Sequence, residues 1–430
     1  MQPSLSIANP MPLHTTTTQK ISLGAVGIGV LMLLLAWASF GSIMNFISPA
    51  LYLLLSFMLA TVGGLVFFRE EYARQPLGIK NNLVWMRGLT ARGVFAWMLG
   101  ILFTGFYICL YWYPEYLAGV IKMFDPLSQF LRHQPANQWF AYGTLYTISV
   151  LLMGVKFAMK YRHNRYQLIR TASVCFFQLG FSFLIPNFLS LMNQPDFYFT
   201  YFWPLHSYDL SPNWFHDLVS KGNIGLFAIS VSVTLTFIAT PVLTYFYGKR
   251  WYCSWVCGCG GLAETAGDPF RHLSDKSLTA WRIERWMIYS VLIFITLTTL
   301  LLWANSAYQG GILGSASMMF SKSYGFLIGS MFSGVIGVGF YPLMGARVWC
   351  RFGCPQAAIL GLFQRKKSKF RITTNGGQCI SCGNCSTYCE MGIDVRAYAQ
   401  RGEDIVRASC VGCGICSAVC PRGVLRLENN

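Results

Sequence analysis

Charged residues are scarce in this chain of 430 residues, and acidic residues are the scarcest. Only 11% of the residues are Asp, Glu, Lys or Arg, and Lys and Arg outnumber Asp and Glu by 33 to 16. The chain is 54% hydrophobic and has a mean hydropathy of +0.44, which is too apolar for a soluble globular protein. The composition therefore predicts an α-helical multi-pass membrane protein.

The sequence also lacks the signatures of several cofactors. Its six histidines do not pair at ligand spacing within any predicted helix, and no C-x-x-C-His site for covalent haem occurs. No Gly-rich nucleotide loop of the G-x-G-x-x-G or Walker type is present. We therefore expect no haem, and we find no signal for a bound nucleotide.

About eight stretches are long and apolar enough to cross a bilayer, which takes roughly 20 residues each. They lie at about 22–40, 48–68, 93–113, 139–158, 169–189, 223–246, 286–304 and 325–344. The connections after the second, fourth and sixth stretches carry 15 Lys and Arg residues in total. The connections after the first, third, fifth and seventh stretches carry four. This asymmetry predicts a bacterial cytoplasmic (inner) membrane protein with both termini in the cytoplasm. The basic excess then indicates orientation and anionic-lipid contact, with nucleic-acid binding a weaker alternative.

Two cysteine runs near the end of the chain share the spacing C-x2-C-x2-C-x3-C. Three cysteines of such a run bind one cluster, and the fourth reaches across to the other cluster. This pattern predicts two 4Fe-4S clusters in a bacterial ferredoxin-like α+β segment. The expected ligands are Cys379, Cys382, Cys385 and Cys420 for one cluster, and Cys410, Cys413, Cys416 and Cys389 for the other. A zinc ribbon would not need the third and fourth cysteine of each run. Disulfides are not expected either, because thirteen of the fifteen cysteines lie on the predicted cytoplasmic side, where thiols stay reduced.

The first run departs from the usual ferredoxin pattern at one position. Glu390 follows Cys389, where a proline normally stands. Because the proline aids a turn and binds no metal, we expect a changed chain direction or cluster potential there, with the cluster kept.

A second cysteine signal occurs where two predicted helices leave the membrane on the cytoplasmic side. The motif Arg-x2-Cys-x3-Cys begins at Arg250 and recurs at Arg347. The four motif cysteines could present their thiolates to one metal or redox site: Cys253, Cys257, Cys350 and Cys354. Cys259 is a possible fifth ligand. The sequence does not distinguish an iron-sulfur cluster from zinc or Cu(I) at this site. The alternative to a metal or redox site is that these cysteines are small residues that pack a helix end. Arg250 and Arg347 would offset thiolate charge and could donate hydrogen bonds to sulfur.

These signals divide the chain into four expected parts. A polar tail covers 1–20, and helices one to five with their loops cover 21–222. Helices six to eight with the paired motifs cover 223–364, and a basic hinge with the ferredoxin segment covers 365–430. The charged loop that holds Glu264, Asp268 and Arg271 is expected to be a solvated surface.

The outward connection 190–222 is rich in aromatic residues and contains His206 and Asp209. An aromatic belt at the membrane interface is the simpler interpretation. The alternative is a quinone pocket in which His206 or Asp209 exchanges protons with the ring. Cys109 and Cys175 lie inside apolar helices, and we interpret both as core residues.

The paired Arg-x2-Cys-x3-Cys helix ends, the terminal two-run ferredoxin and Gly392-Ile393-Asp394-Val395-Arg396 together resemble the polyferredoxin membrane family of NapH, NosR and CcoG. The resemblance covers roughly 223–430. It implies electron transfer between the quinone pool, or a cytoplasmic donor, and a respiratory partner. Two alternatives stay open: a membrane reductase or maturation factor, for example for copper, that assembles a respiratory metalloenzyme, and a scaffold whose clusters are only structural.

Overall fold

The computed structural model describes residues 15–43, 47–74, 90–194, 196–311 and 313–429, and for 38–43 the backbone alone. Most of the expected polar tail 1–20 lies outside the described residues. So do Lys80 and Arg87 of the first basic connection.

Seven helices of the described chain are long and apolar enough to cross a membrane, which confirms the predicted helical membrane fold. They are Thr17–Trp37, Pro49–Arg74, Val94–Trp112, Gln138–Lys160, Arg165–Leu191, Asn223–Tyr247 and Leu278–Ala307. The first of them continues as backbone to Ile43. In place of the eighth expected stretch, an α-helix Ser315–Tyr324 continues as a π-helix Gly325–Ile336. Lys322 and several serines make this helix less apolar than the seven.

The chain forms two compact units, the first comprising 1–87 and 105–196. Short helices connect its long ones: Pro114–Leu117, Ala118–Met123 and Asp125–Arg132. Phe124 and Phe140 are buried in its core. The Asn137 side chain accepts a hydrogen bond from the amide of Phe140 at 2.8 Å, which fixes the start of helix Gln138–Lys160.

The second unit comprises 88–104 and 197–430. Besides its long helices it has a series of short ones: Pro212–Ser220, Arg250–Cys253, Gly258–Thr265, Asp268–Leu273, Tyr341–Met344, Trp349–Gly353, Pro355–Lys367, Gly376–Gln378, Asn384–Thr387, Val395–Arg401 and Ile415–Ala418. Two strands, Phe370–Thr374 and Leu425–Asn429, pair antiparallel with Phe370 opposite Asn429. This small sheet and the short helices around the cysteines are the predicted ferredoxin-like α+β segment.

The basic connection before the sheet is short and is hydrogen-bonded to helix Asn223–Tyr247. Only two residues separate the end of helix Pro355–Lys367 from the start of strand Phe370–Thr374. The Lys369 amide donates to the Tyr245 carbonyl at 2.8 Å, so the strand begins against helix Asn223–Tyr247. Gly248 ends that helix at φ +65°, and a Cβ there would lie 2.7 Å from the Phe370 ring. Only glycine combines this backbone conformation with so close an approach.

Candidate metal centres

The eight cysteines of the ferredoxin-like segment lie around two separate small cavities. Three cysteines of the first run and the last of the second line one cavity: Cys379, Cys382, Cys385 and Cys420. The remaining four line the other: Cys389, Cys410, Cys413 and Cys416. The structure thus brings the cysteines into the two groups that the spacing predicts, with the fourth cysteine of each run exchanged.

The same local structure occurs in both runs. Gly383 and Gly414 take left-handed conformations, with φ of +75° and +73°, and each precedes a four-residue helix. The third cysteine of each run, Cys385 or Cys416, lies in that helix and is buried. The Ile393 amide donates to Cys389 Sγ at 3.4 Å. These glycine turns direct three thiols of each run toward one cavity.

The Arg-x2-Cys-x3-Cys repeat is also a structural repeat. In each copy the second cysteine is the residue just before a helix, Cys257 before Gly258–Thr265 and Cys354 before Pro355–Lys367. The Ala357 amide donates to Cys354 Sγ at 3.4 Å. Each of the four motif cysteines is 5 or 6% exposed.

The four buried thiols of this repeat lie close enough to interact electrostatically. Cys354 interacts with Cys350, Cys253 and Cys257, and Cys259 interacts with Cys257, Cys350 and Cys354. We name this group, Cys253, Cys257, Cys259, Cys350 and Cys354, the membrane-face cysteine group. The group lies outside the long apolar helices, as expected for motifs that follow the ends of membrane helices.

Burial controls the protonation of these thiols. It raises the pKa of Cys253 to about 12, whereas a hydrogen bond with Cys259 is the main cause that lowers the pKa of Cys257 to about 7. Burial likewise raises the pKa of Cys385 and Cys410 to about 11. Buried thiolates of this kind are stabilised by a bound cation, and metal binding releases their protons. The donor chemistry of all three cysteine groups therefore fits iron-sulfur ligation.

A buried ion-pair network lies between the membrane-face cysteine group and the ferredoxin cysteines that line the second small cavity, Cys389, Cys410, Cys413 and Cys416. Arg347 Nη1 donates to Cys350 Sγ at 3.5 Å, and Arg347 Nε lies 3.0 Å from a carboxylate oxygen of Glu390. The other oxygen of Glu390 lies 2.8 Å from Arg271 Nη1. Arg347 also pairs with Glu264. Ligand-capable atoms of Glu264, Glu390 and Cys413 lie within 4.8 Å of one another, which places Arg347 beside both cysteine groups.

This network corrects the expectation that the loop containing Glu264, Asp268 and Arg271 is a solvated surface. Each of the three side chains is at most 3% exposed, and Arg271 Nε lies 3.3 Å from Asp268. Buried charges of both signs require partners, and these residues supply them to one another. The sequence signal that could have found the network is Glu390 itself, since an acid in place of the turn proline needs a cation nearby.

The two motif arginines have different roles. Arg347 contacts sulfur as predicted, but Arg250 does not do so among its described contacts. Arg250 Nη2 instead donates to Asn429 at 3.0 Å, and its guanidinium lies 4.6 Å from the Phe370 ring centre. Arg250 is therefore a contact of the small sheet. The difference follows from position, because the sheet packs next to the first motif.

The ferredoxin-like segment packs closely against the cysteine motifs. Gly392 and Gly412 have positive φ, and a Cβ on them would lie 2.3 Å from Arg351 Nη1 and 2.6 Å from Arg250 Cβ, respectively. Ser254 Oγ donates to the Val411 carbonyl at 2.8 Å. A substitution that adds a side chain at either glycine would force the segment away from the motifs.

The aromatic connection 197–211 reaches the cysteine motif. Tyr252 Oη, one residue before the first motif cysteine, donates to the Thr200 carbonyl at 2.7 Å. At the other end Trp303 Nε1 donates to the Leu210 carbonyl, near the end of helix Leu278–Ala307. An interfacial belt would stay at one membrane surface, whereas this segment runs along the helices toward the cysteines.

His206 and Asp209 in this connection form a pair. Their Nδ1 and Oδ1 atoms lie 2.7 Å apart. The His206 side chain is 47% exposed and the Asp209 side chain 3%. Asp209 Oδ2 is buried and has no hydrogen-bond partner among the described residues. The pair joins an accessible imidazole to a buried carboxylate.

Comparisons with known proteins agree with this geometry. The family described as 4Fe-4S binding domain matches residues 230–277 and again residues 326–373, and the family described as 4Fe-4S dicluster domain matches residues 378–425. The chain carries ferredoxin-type 4Fe-4S domains. The first family matches one copy of the Arg-x2-Cys-x3-Cys motif in each of its two segments, so it recovers the internal repeat.

Two curated proteins are similar to part of the chain. "Putative electron transport protein YccM" of Escherichia coli (strain K12) is 26% identical over 190 residues, 42% of this chain and 51% of that protein. "Methylamine utilization ferredoxin-type protein MauN" of Methylobacillus flagellatus is 26% identical over 171 residues, 38% of this chain and 57% of that protein. The chain thus spans a little over half the length of these relatives. No solved structure matches it significantly.

Proposed function

We propose that this protein is a membrane-bound electron-transfer relay that connects a membrane-face iron-sulfur site with two ferredoxin clusters. The observation that carries the proposal is Arg347, which donates to Cys350 Sγ and pairs with Glu390, the neighbour of Cys389. A single buried side chain thus contacts a cysteine of the membrane-face group and the residue next to a ferredoxin cysteine. The names of the two relatives, an electron transport protein and a ferredoxin-type protein, point the same way.

The cysteines are assigned to clusters by their grouping. The two cavity-lining sets of four would each hold one 4Fe-4S cluster. Cys253, Cys257, Cys350 and Cys354 would hold a third, since a 4Fe-4S family matches both segments that contain them. Cys259 stays a possible ligand in that group. When bound, the clusters supply one-electron transfer. The protein holds the thiols in place, offsets their negative charge through Arg347, and excludes water.

The partners follow from the resemblance to the NapH, NosR and CcoG family. Electrons would pass between the quinone pool, or a cytoplasmic donor, and a respiratory partner, in a bacterial inner membrane with both chain ends in the cytoplasm. Oxidation of a quinol releases two electrons and two protons. The electrons would enter the cysteine sites one at a time, the His206–Asp209 pair would accept one proton, and the second proton would pass to water.

We expect His206→Ala and Asp209→Asn each to slow quinol-dependent reduction of the protein by about tenfold or more, because each removes a proton acceptor. Anaerobic stopped-flow spectroscopy of the iron-sulfur absorbance with a soluble quinol analogue measures the rate. His216→Ala is the matched control, since His216 is exposed in helix Pro212–Ser220. Unchanged rates in both variants would remove the pair from the proposal while leaving the relay itself untouched.

The relay is tested by offering the purified protein a quinol analogue and, separately, Cu(II). Rapid bleaching of the iron-sulfur absorbance by the quinol is the expected result. Turnover of Cu(II) without a response to quinol would favour the maturation-factor alternative. Clusters that respond to neither, and to no low-potential reductant, would favour the structural scaffold.

A further inference from the structure

A cavity of about 180 Å³ lies in the second unit beside the membrane-face cysteine group, and of its lining residues only Cys350 belongs to the proposed relay. One cysteine, Cys350, lines it. Met391 and Ser409 also line it, and each is close in sequence to a ferredoxin cysteine. The cavity therefore touches both the motif segment and the ferredoxin-like segment.

The wall of this cavity is strongly basic. Five cations line it against a single carboxylate, that of Glu284: Lys249, Arg285, Arg351, Arg365 and Arg407. The guanidinium groups of Arg285 and Arg407 both lie over the Trp281 ring, at 5.1 and 4.7 Å from its centre. Such a density of cations gives the cavity a positive potential that attracts anions.

One of these cations has an unused donor. Arg351 is 3% exposed, its Nε donates to Glu284 at 2.7 Å and its Nη1 donates to the Asp275 carbonyl at 2.6 Å. Its Nη2 is buried and has no hydrogen-bond partner in the part of the chain that the structure describes. Leaving a buried guanidinium nitrogen without a partner is costly, and Arg351 lines the cavity, so an anion bound there would lie beside its guanidinium group.

The position of the cavity also indicates what kind of anion it takes. Ile288 and Tyr289 form part of its lining, in the early turns of the long apolar helix Leu278–Ala307. Trp286, on the same turn, is 79% exposed, as expected for an aromatic anchor at a membrane interface. Basic residues on one side and apolar residues on the other suit a phosphate group at headgroup depth.

We propose that this cavity binds a phosphate ester, held by Arg351, Arg285 and Arg365. The source is either the headgroup of an anionic phospholipid or a soluble phosphate. A bound phosphate would join the motif helices to the ferredoxin-like segment at the membrane surface. This proposal does not depend on the direction of electron flow or on the quinone.

The test uses two exposed cations, because loss of Arg351 would also break its pair with Glu284. Arg285→Gln with Arg365→Gln removes two cavity charges, and Arg282→Gln with Lys366→Gln removes two exposed neighbours that do not line the cavity. Iron content, measured for each variant, shows that the clusters are kept. Isothermal titration calorimetry of the full-length protein in detergent then uses dihexanoyl phosphatidylglycerol, dihexanoyl phosphatidylcholine and inorganic phosphate.

We expect wild type and control to bind the phosphatidylglycerol alike, within about threefold, and the cavity variant to bind it about tenfold or more weakly. Binding of inorganic phosphate with the same dependence on the variants, without lipid binding, would assign the site to a soluble phosphate. Absence of binding by all three probes, or equal loss in the cavity and control variants, would overturn the proposal. Neither result would affect the relay, which is tested by reduction kinetics.

Discussion

Replacing Glu390 by alanine will destabilise the second unit by about 3–5 kcal/mol, the range for breaking a buried ion pair by removal of one partner. The substitution leaves the guanidinium groups of Arg347 and Arg271 buried beside each other without the carboxylate that lies 3.0 and 2.8 Å from them. Arg347 would keep Glu264 and Arg271 would keep Asp268, but both would lose the carboxylate that they share. Because Glu390 adjoins Cys389, we expect the ferredoxin-like segment to separate from the motif segment.

The measurement is the temperature at which the iron-sulfur absorbance is lost under anaerobic conditions. We expect Glu390→Ala to lower this midpoint by roughly 10 °C. Glu403→Ala is the matched control, because Glu403 pairs with Arg401 at 3.0 Å while both side chains are 54% exposed. Exposed pairs contribute about 0–1 kcal/mol, so the control should change little. Equal midpoints for the two variants would show that the buried network does not hold the segments together.

Replacing Cys253, Cys257, Cys350 and Cys354 together by alanine will lower the iron content by about four ions per chain, the content of one 4Fe-4S cluster. The expectation rests on the burial of all four thiols and their mutual interaction beside Arg347. The ferredoxin cysteines lie around separate cavities, so their iron should be kept. Iron and labile sulfide analysis of anaerobically purified protein measures the change.

The double substitution Cys109→Ala and Cys175→Ala is the control for the loss of cysteine as such. Both residues lie in the first unit, within the long apolar helices Val94–Trp112 and Arg165–Leu191. Their replacement should leave iron and sulfide unchanged. Iron content that stays at the wild-type value in the quadruple variant would rule out a cluster at the membrane face, and copper analysis of the same samples would then test the Cu(I) alternative.

The helical membrane fold and the ferredoxin segment could be predicted from the sequence because their signals are local. A membrane-spanning run of apolar residues and the spacing C-x2-C-x2-C-x3-C can each be recognised within about 20 positions of sequence. The repeat at Arg250 and Arg347 was visible for the same reason. These local patterns predict which cysteines form each group, and the structure places them in those groups.

The contacts between segments could not be predicted, because they join residues far apart in the sequence. Arg271 and Arg347 meet Glu390 only after the ferredoxin-like segment packs against the motifs, so the loop of Arg271 looked like a charged surface. The connection 197–211 likewise looked like an aromatic belt, since composition does not show that Thr200 reaches Tyr252. Only Glu390 indicated such a contact in the sequence, because it is an acid at a position where a turn proline is expected.

The proposed relay depends on a membrane-face cluster that lies beside two ferredoxin clusters in one protein. Iron and sulfide analysis, combined with electron paramagnetic resonance of the anaerobic, dithionite-reduced protein, tests it most directly. We expect about twelve iron and twelve sulfide ions per chain, in three 4Fe-4S clusters, with signals broadened by magnetic interaction between neighbours. A colourless, iron-free preparation, or clusters without any magnetic interaction, would contradict it.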